Sequence, residues 1–281
     1  MKHKKVGKSD FMAMKLDMSR AYDCVEWNFL CRLMEKMGFE DRWIQLIYGC
    51  INFVSYFILV NGEPHDDIKP TRGLRQGDPL SPYLFLLVSE GLNSLIQQAV
   101  AAGDIRGFSL CRNGPWISHL FFVDDTLLFC RDELREVQTI QNILRKYELA
   151  SGQKINPGKT TLFFGKSISL LSKNAIKNLL GVLEIKEYEC YLGLPVVVGK
   201  NRKASLNYIK EMIWGKLQGW KEKLISQAGR EVLLKAVVQA IQTFAMSCFK
   251  LPVGLCNDIE AMIRKFWWCQ QGDRRKIHWK K

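Results

Sequence analysis

No apolar run in this 281-residue sequence approaches the roughly 18 residues that span a bilayer. The basic start, Met1-Lys2-His3-Lys4-Lys5, is followed by neither an apolar segment nor a small-residue cleavage site. These absences lead us to expect a soluble, intracellular protein of the nucleus or cytoplasm, with no membrane partner. There is no Cys-x-x-Cys pair either. The nine cysteines are odd in number and scattered, and the only histidines are His3, His65, His119 and His278, so neither a disulfide framework nor a zinc cluster assembles from local sequence. Gly-x-Gly-x-x-Gly and Gly-x-Ser-x-Gly are missing, which removes the usual dinucleotide and esterase readings. Gly158-Lys159-Thr160 resembles the end of a P-loop. Five residues separate Gly152 from Gly158, however, where that motif needs about four, and Pro157 occupies the loop.

What is abundant is positive charge. The chain carries 41 Lys+Arg against 28 Asp+Glu, a formal net of +13. Residues 199–281 hold 17 basic and 6 acidic residues, a net of +11, so the last third carries nearly all the excess. Such a bias suits a polyanion such as nucleic acid, with a merely solubilising surface as the alternative. The hydropathy pattern changes at the same place. Before residue 200 strands and helices mix: a strand over Phe11–Asp17, a helix from Trp27 to Gly38, and another over Trp43–Ile51. A hairpin follows, turning at Asn61-Gly62. Ser81 reads as an N-cap with Pro82 at the first helical position, opening a helix to about Val100. Ile117–Cys130 reads as two strands around a turn holding Asp124-Asp125; strands are also expected over 160–164 and 189–198. After Gly199 the pattern is helical, through Leu206, Ile209, Ile213 and Leu217, then Leu233, Val237, Ala240 and Phe244. The expected fold class is α+β, an antiparallel sheet packed with helices (residues 1–198), followed by a basic all-α bundle (residues 199–281). Lys203, Lys210, Lys216, Lys221 and Lys223 are expected to be exposed on the bundle.

Three acidic residues stand in apolar surroundings. Asp17 ends a strand, and Asp124-Asp125 lie between Leu120-Phe121-Phe122-Val123 and Leu127-Leu128-Phe129. Aspartates often serve only as turn formers. Two adjacent carboxylates between apolar strands are harder to place, because like charges in contact need a cation to neutralise them. Hard oxygens on neighbouring strand tips would hold Mg²⁺ and leave positions for substrate phosphates.

These residues resemble the palm motifs of reverse transcriptases. Lys15-Leu16-Asp17-Met18-Ser19-Arg20-Ala21-Tyr22-Asp23, Arg75-Gln76-Gly77-Asp78-Pro79-Leu80-Ser81-Pro82 and Phe122-Val123-Asp124-Asp125 occur in the family's order. Ser151-Gly152-Gln153-Lys154-Ile155-Asn156-Pro157-Gly158-Lys159-Thr160 and Tyr191-Leu192-Gly193-Leu194 resemble the two that follow. The flavour is that of non-LTR (LINE-type) retrotransposons, especially the plant lineage, and the basic tail resembles the family's thumb.

The resemblance implies RNA-directed DNA synthesis on an RNA template and a DNA primer from deoxynucleoside triphosphates. It makes Asp17 and Asp124 the main ligands of two Mg²⁺ ions (Mn²⁺ as the alternative), with the Met18 carbonyl assisting and Asp125 beside them. Asp17 and Asp124 should then lie within roughly 4 to 7 Å of each other. Tyr22 matches the bulky residue that excludes a ribose 2′-hydroxyl, with a core aromatic as the plain alternative. Arg75, Gln76 and Gly77 would line the nucleotide and template pocket. Lys159 would act as a proton donor near the triphosphate, and Tyr191, Leu192 and Gly193 would hold the primer end. Val123 departs from the alanine that the element family usually has before its paired aspartates.

The resemblance also predicts fingers and endonuclease segments, which are not found before Asp17, and further sequence after Lys281. From this we expect a fragment of a retroelement that polymerises weakly or not at all alone. Two further readings remain: a catalytically dead remnant that binds nucleic acid only, and a carboxylate metalloenzyme acting on small phosphates. The last leaves the basic tail and the ordered motifs unexplained.

Overall fold

The computed structural model describes residues 11–109, 111, 114–123, 125–165, 168–182, 190–191, 193–195, 202–221 and 225–268, with the backbone alone for Cys190, Tyr191, Pro195 and Lys221. The chain forms two units, Met1–Lys186 and Glu187–Lys281.

The first unit runs β1 (Phe11–Leu16), β2 (Met18–Ser19), α1 (Trp27–Lys36), α2 (Asp41–Asn52), β3 (Tyr56–Val60), β4 (Glu63–Ile68) and α3 (Ser81–Ala101). It continues with β5 (Phe108–Ser109), β6 (Trp116–Ile117), β7 (His119–Phe122), β8 (Asp125–Arg131), α4 (Leu134–Ser151), β9 (Lys154–Ile155), β10 (Thr161–Phe164) and α5 (Leu170–Leu180). A four-stranded antiparallel sheet in the order β10-β1-β8-β7 lies at its centre. Alternation along β1 and β8 sends Met12, Met14, Leu16, Leu128 and Cys130 into one core. Leu30 and Met34 of α1, Val88 and Leu92 of α3, and Val137 and Ile140 of α4 complete that core.

Local chemistry sets the element ends. Gly38 takes φ +86° after α1, and Gly152 takes φ +76° after α4, the left-handed conformation that stops a helix at least cost. Asn61 (φ +53°) and Gly62 (φ +88°) form the tight turn joining β3 to β4. Ser81 is not the cap of α3. The carboxylate of Asp78 accepts the N–H of Leu80 at 2.8 Å, and the Asp78 carbonyl accepts that of Ser81 at 3.2 Å. Ser81 is itself the first helical residue, so Leu80 holds the cap position and Asp78 closes the turn before it. α3 is long and apolar enough, by length and composition, to cross a membrane. Leu84, Phe85, Val88, Leu92 and Ile96 instead line the core, and Glu90, Asn93, Gln97 and Gln98 interrupt the apolar run.

The second unit contains a short hairpin, β11 (Cys190–Tyr191) and β12 (Leu194–Pro195), then α6 (Arg202–Ser205), α7 (Asn207–Lys221) and α8 (Gln227–Leu233). A π-helical turn, Leu234–Val238, leads into α9 (Gln239–Cys248), and α10 (Val253–Trp268) follows. Leu206, Ile209, Ile213 and Leu217 form one buried line and pack with Val238, Ala245, Leu255, Ile259 and Phe266. The expected face through Leu233, Val237, Ala240 and Phe244 is displaced: Val238 and Ala245 are buried, whereas Phe244 is 49% exposed. The π-turn is the physical reason, since its extra residue rotates the following face. The hairpin falls in this unit, not before a boundary at 198, because Leu194 packs against the helical core. Lys203 and Lys216 are exposed as expected. Lys210 is half-buried, and both it and Lys203 pair with Asp258, at 3.6 and 2.9 Å. The side chain of Lys221, and Lys223, lie outside the described residues.

Candidate active site

The register of the central sheet decides where the acidic residues stand. The β1–β8 ladder ends at the pair Leu16–Thr126, so Asp17 and Asp125 are the residues that adjoin its last pair. Both carboxylates are about a third exposed, with side-chain values of 30% and 29%. Period-two alternation puts Lys15 on the same face as Asp17. The Lys15 ammonium lies 3.7 Å from Asp125 Oδ1, and the Lys159 ammonium lies 3.8 Å from Asp17 Oδ2. Lysines from two separate segments thus compensate two neighbouring acids.

At the tip of the β7–β8 hairpin Phe122 pairs with Asp125. Asp125 is therefore the first residue of β8 and not part of the turn, as the sequence had suggested; pairing with Phe122 draws it into the ladder. Val123 has φ +52°. A β-branched residue in that region costs of order 1–3 kcal/mol and persists where the surroundings force it. Here the two strands force it. Asp124 itself lies outside the described residues, and the expected Asp17–Asp124 separation lies there with it.

Behind Asp17 the main chain is held on two sides. Met18 pairs with Ile155 across β2 and β9, and Asn156 donates its N–H to the Asp17 carbonyl at 2.9 Å. The Asn156 carbonyl in turn accepts the N–H groups of Lys159 (3.2 Å) and Thr160 (2.9 Å), which fixes the loop carrying Lys159. On the other side, the loop before α3 is stitched to residues 22–27. Leu74 N–H donates to the Tyr22 carbonyl and Gly73 N–H to that of Val25, both at 2.8 Å. The Trp27 indole donates to the Gly73 carbonyl at 2.7 Å. Gly73 sits at φ +94°, and a Cβ there would meet the Asp23 carbonyl oxygen at 2.7 Å.

The remaining expected site residues are distributed as follows. Tyr22 is half-buried and stacks on Phe85, with ring centroids 4.7 Å apart. Arg75 pairs with Asp78 at 2.5 Å and reaches the Cys50 carbonyl at 3.4 Å, so its guanidinium is anchored to neighbouring structure. Gln76 and Gly77 are exposed, and Gly77 has φ +87° in open space. Tyr191 and Gly193 (φ +75°) belong to the hairpin of the second unit, and Leu192 lies outside the described residues. A cavity of about 350 Å³ is lined by Trp27, Ile51, Leu74, Arg75, Asp78 and Leu84, among others, and by neither Asp17 nor Asp125.

Two contributors escaped the sequence reading. Lys15 could have been found from its i, i−2 relation to Asp17 on a strand. Gln153 could not, because its partner is a main-chain carbonyl 132 residues away.

The motifs and this geometry agree with a comparison against protein families. The model described as reverse transcriptase (RNA-dependent DNA polymerase) matches residues 2–196. The chain belongs to the reverse transcriptase family. An uncharacterised mitochondrial protein of Arabidopsis thaliana is 49% identical over 79 residues, 28% of this chain and 64% of that protein. The retrovirus-related Pol polyprotein from the type-1 retrotransposable element R2 of Popillia japonica is 28% identical over 151 residues, 53% of this chain and 20% of that protein. The chain thus spans less than two-thirds of either relative. Among solved structures, telomerase from Candida tropicalis in complex with a fragment of telomeric RNA superposes with a TM-score of 0.50 at 13% identity. That match covers 94% of this chain and 44% of the telomerase chain, and it shows the shared fold.

Reverse transcriptases generally use divalent metal ions. The described donors fit such an ion: Asp17 and Asp125 are both about a third exposed, and each already draws an ammonium group to within 4 Å. Mg²⁺ takes one or two carboxylates and keeps several waters, so a full protein cage is not required. Among the described residues no cluster of three or more His, Cys, Asp or Glu side chains converges.

Proposed function

We propose that this chain is the palm of an RNA-directed DNA polymerase of the non-LTR retrotransposon type, joined to a basic, thumb-like helical bundle. The observation that carries the reading is the register of the central sheet, whose last β1–β8 pair, Leu16–Thr126, adjoins both Asp17 and Asp125. Asp17, Asp124 and Asp125 would hold two Mg²⁺ ions, with the Met18 carbonyl assisting. Bound there, the ions supply Lewis-acid stabilisation of charge on the phosphoryl oxygens during nucleotidyl transfer to a primer 3′-hydroxyl.

The chain's own residues supply position. Asn156 and Ile155 hold the main chain at Asp17 and Met18. Lys159, on a loop tethered by the Asn156 carbonyl and 71% exposed, would give a proton to a leaving pyrophosphate. Tyr22 presents a rigid ring, backed by Phe85, as the wall against a ribose 2′-hydroxyl. Arg75, Gln76 and Gly77 would line the nucleotide and template pocket. Tyr191, Leu192 and Gly193 would hold the primer end. Positioning of this kind is most of what phosphoryl-transfer catalysis requires.

The test is primer extension on an RNA template with deoxynucleotides and Mg²⁺, comparing the chain with Asp17→Asn. Extension, even weak, that is lost in the variant supports the reading; equal background from both chains favours nucleic-acid binding without catalysis.

A second reading, nucleic-acid binding without catalysis, is favoured by one observation: residues 199–281 carry a net +11.

A further inference from the structure

Gln153 follows the helix stop at Gly152 and is 1% exposed. Its side-chain amide donates to the Ala21 carbonyl at 2.9 Å, and its side-chain oxygen accepts the Tyr147 hydroxyl at 2.6 Å. Its backbone N–H donates to the Ser151 hydroxyl at 3.2 Å, and that hydroxyl donates to the Tyr147 carbonyl at 2.7 Å. Tyr147 and Ser151 are buried as well. A glutamine this deep is costly unless its polar atoms are partnered, and here both ends of the carboxamide are.

What it grips is the peptide linking Ala21 to Tyr22. The same short segment is held from its other side by the Leu74 N–H on the Tyr22 carbonyl. Tyr22 therefore projects from a main chain fixed by two partners distant in sequence, and its ring is set against Phe85. We propose that Gln153 is a positioning residue for sugar selection: it fixes the main chain from which Tyr22 projects, and so sets how far the ring stands into the nucleotide site. This rests on the polymerase reading of Tyr22 given above. The side chain suits the task because only an amide of this length accepts from Tyr147 and donates to Ala21 at once.

Two substitutions separate positioning from packing. Gln153→Met keeps the volume and removes both side-chain bonds. Tyr147→Phe removes the Tyr147–Gln153 bond, together with the longer contact of that hydroxyl to the Val88 carbonyl at 3.3 Å, and leaves the one to Ala21. The first readout needs no nucleotide: amide exchange at Leu74 and Asp23, whose N–H groups bond to Tyr22 and Arg20. The second is the ratio of deoxynucleotide to ribonucleotide triphosphate affinity in Mg²⁺. Melting temperatures are recorded for both variants.

Gln153→Met should speed exchange at Leu74 and Asp23 about tenfold relative to the amides of α3, and should lower the deoxy preference by about the same factor, as loss of one buried hydrogen bond would. Tyr147→Phe should leave both readouts close to the parent. Changes that simply follow melting temperature in both variants would overturn the proposal. A parent chain with no deoxy preference would overturn the reading of Tyr22, and sugar selection with it. In that case the exchange data would still show separately whether Gln153 holds the segment.

Discussion

The N–H of Asn156 meets the carbonyl of Asp17 at 2.9 Å, joining the loop that carries Lys159 to the strand end that carries the acid. Ile155, one residue earlier, pairs with Met18 and also donates its N–H to the Glu148 carboxylate at 2.8 Å. The segment 151–156 is therefore a brace between α4 and Asp17. It brings Lys159 to 3.8 Å from a carboxylate 142 positions earlier in the chain.

That brace depends on close approach at Gly152. A Cβ there would meet the Cys24 carbonyl oxygen at 2.5 Å, and the backbone is already at φ +76°. Gly152→Ala should destabilise the first unit by about 3 kcal/mol, combining backbone strain with displacement of the Cys24 peptide. Gly181→Ala is the control. Gly181 has φ +67° but open space around it, so the loss should be about 1 kcal/mol. Urea denaturation of both variants checks the difference.

Gly152 illustrates what the sequence makes legible. Asn61-Gly62, Gly38 and the β1 alternation could be placed because their signals are local, set by a dihedral angle or a period of two. The signals that misled were local as well. Ser81 has the right chemistry for a cap, but the helix begins at Ser81 itself and Leu80 takes the cap position. The face of α9 was read one residue early because nothing in Leu234–Val238 announces a π-turn. Of the candidate site, Asp17 and Asp125 can be named from the motifs, whereas the pairing of Lys15 with Asp125 and the grip of Gln153 on Ala21 depend on tertiary register.

Histidine 119 should make stability pH-dependent. Burial holds its imidazole below the ordinary value of 6.5, with the nearby Glu90 opposing more weakly. Its ring lies between Asn93 Oδ1 and the Ser118 hydroxyl, each at 2.9 Å. Asn93 Oδ1 can only accept, so Nε2 carries the proton and Nδ1 accepts from Ser118. A depressed folded-state value means that the unfolded chain takes up its proton first on acidification. The contribution of this group is thus present above pH 6.5 and declines as the pH falls below it. Thermal melts between pH 7.5 and 5 should show a downward slope that is reduced in His119→Gln.

The helical unit should bind RNA or primer–template with strong salt dependence. Each neutralised phosphate releases counterions, so the logarithm of affinity should fall by roughly 0.7 to 0.9 per contact for each logarithmic step in salt. Asp258 already engages Lys203 and Lys210, and it is held below the usual carboxylate range first by its hydrogen bond to Lys203. Asp258→Asn should release both ammonium groups and raise affinity at low salt several-fold, provided the unit keeps its fold by circular dichroism. Affinity indifferent to salt would leave the charge as a solubilising feature only.

Divalent-ion binding at the strand end tests the central claim most directly. Titration with Mn²⁺, followed by electron paramagnetic resonance of the free ion, reports occupancy without requiring polymerisation. The account predicts saturable binding by the parent chain, weakened about tenfold or more in Asp17→Asn and in Asp125→Asn, with Mg²⁺ competing for the same site. Binding that is undiminished in both variants would contradict it.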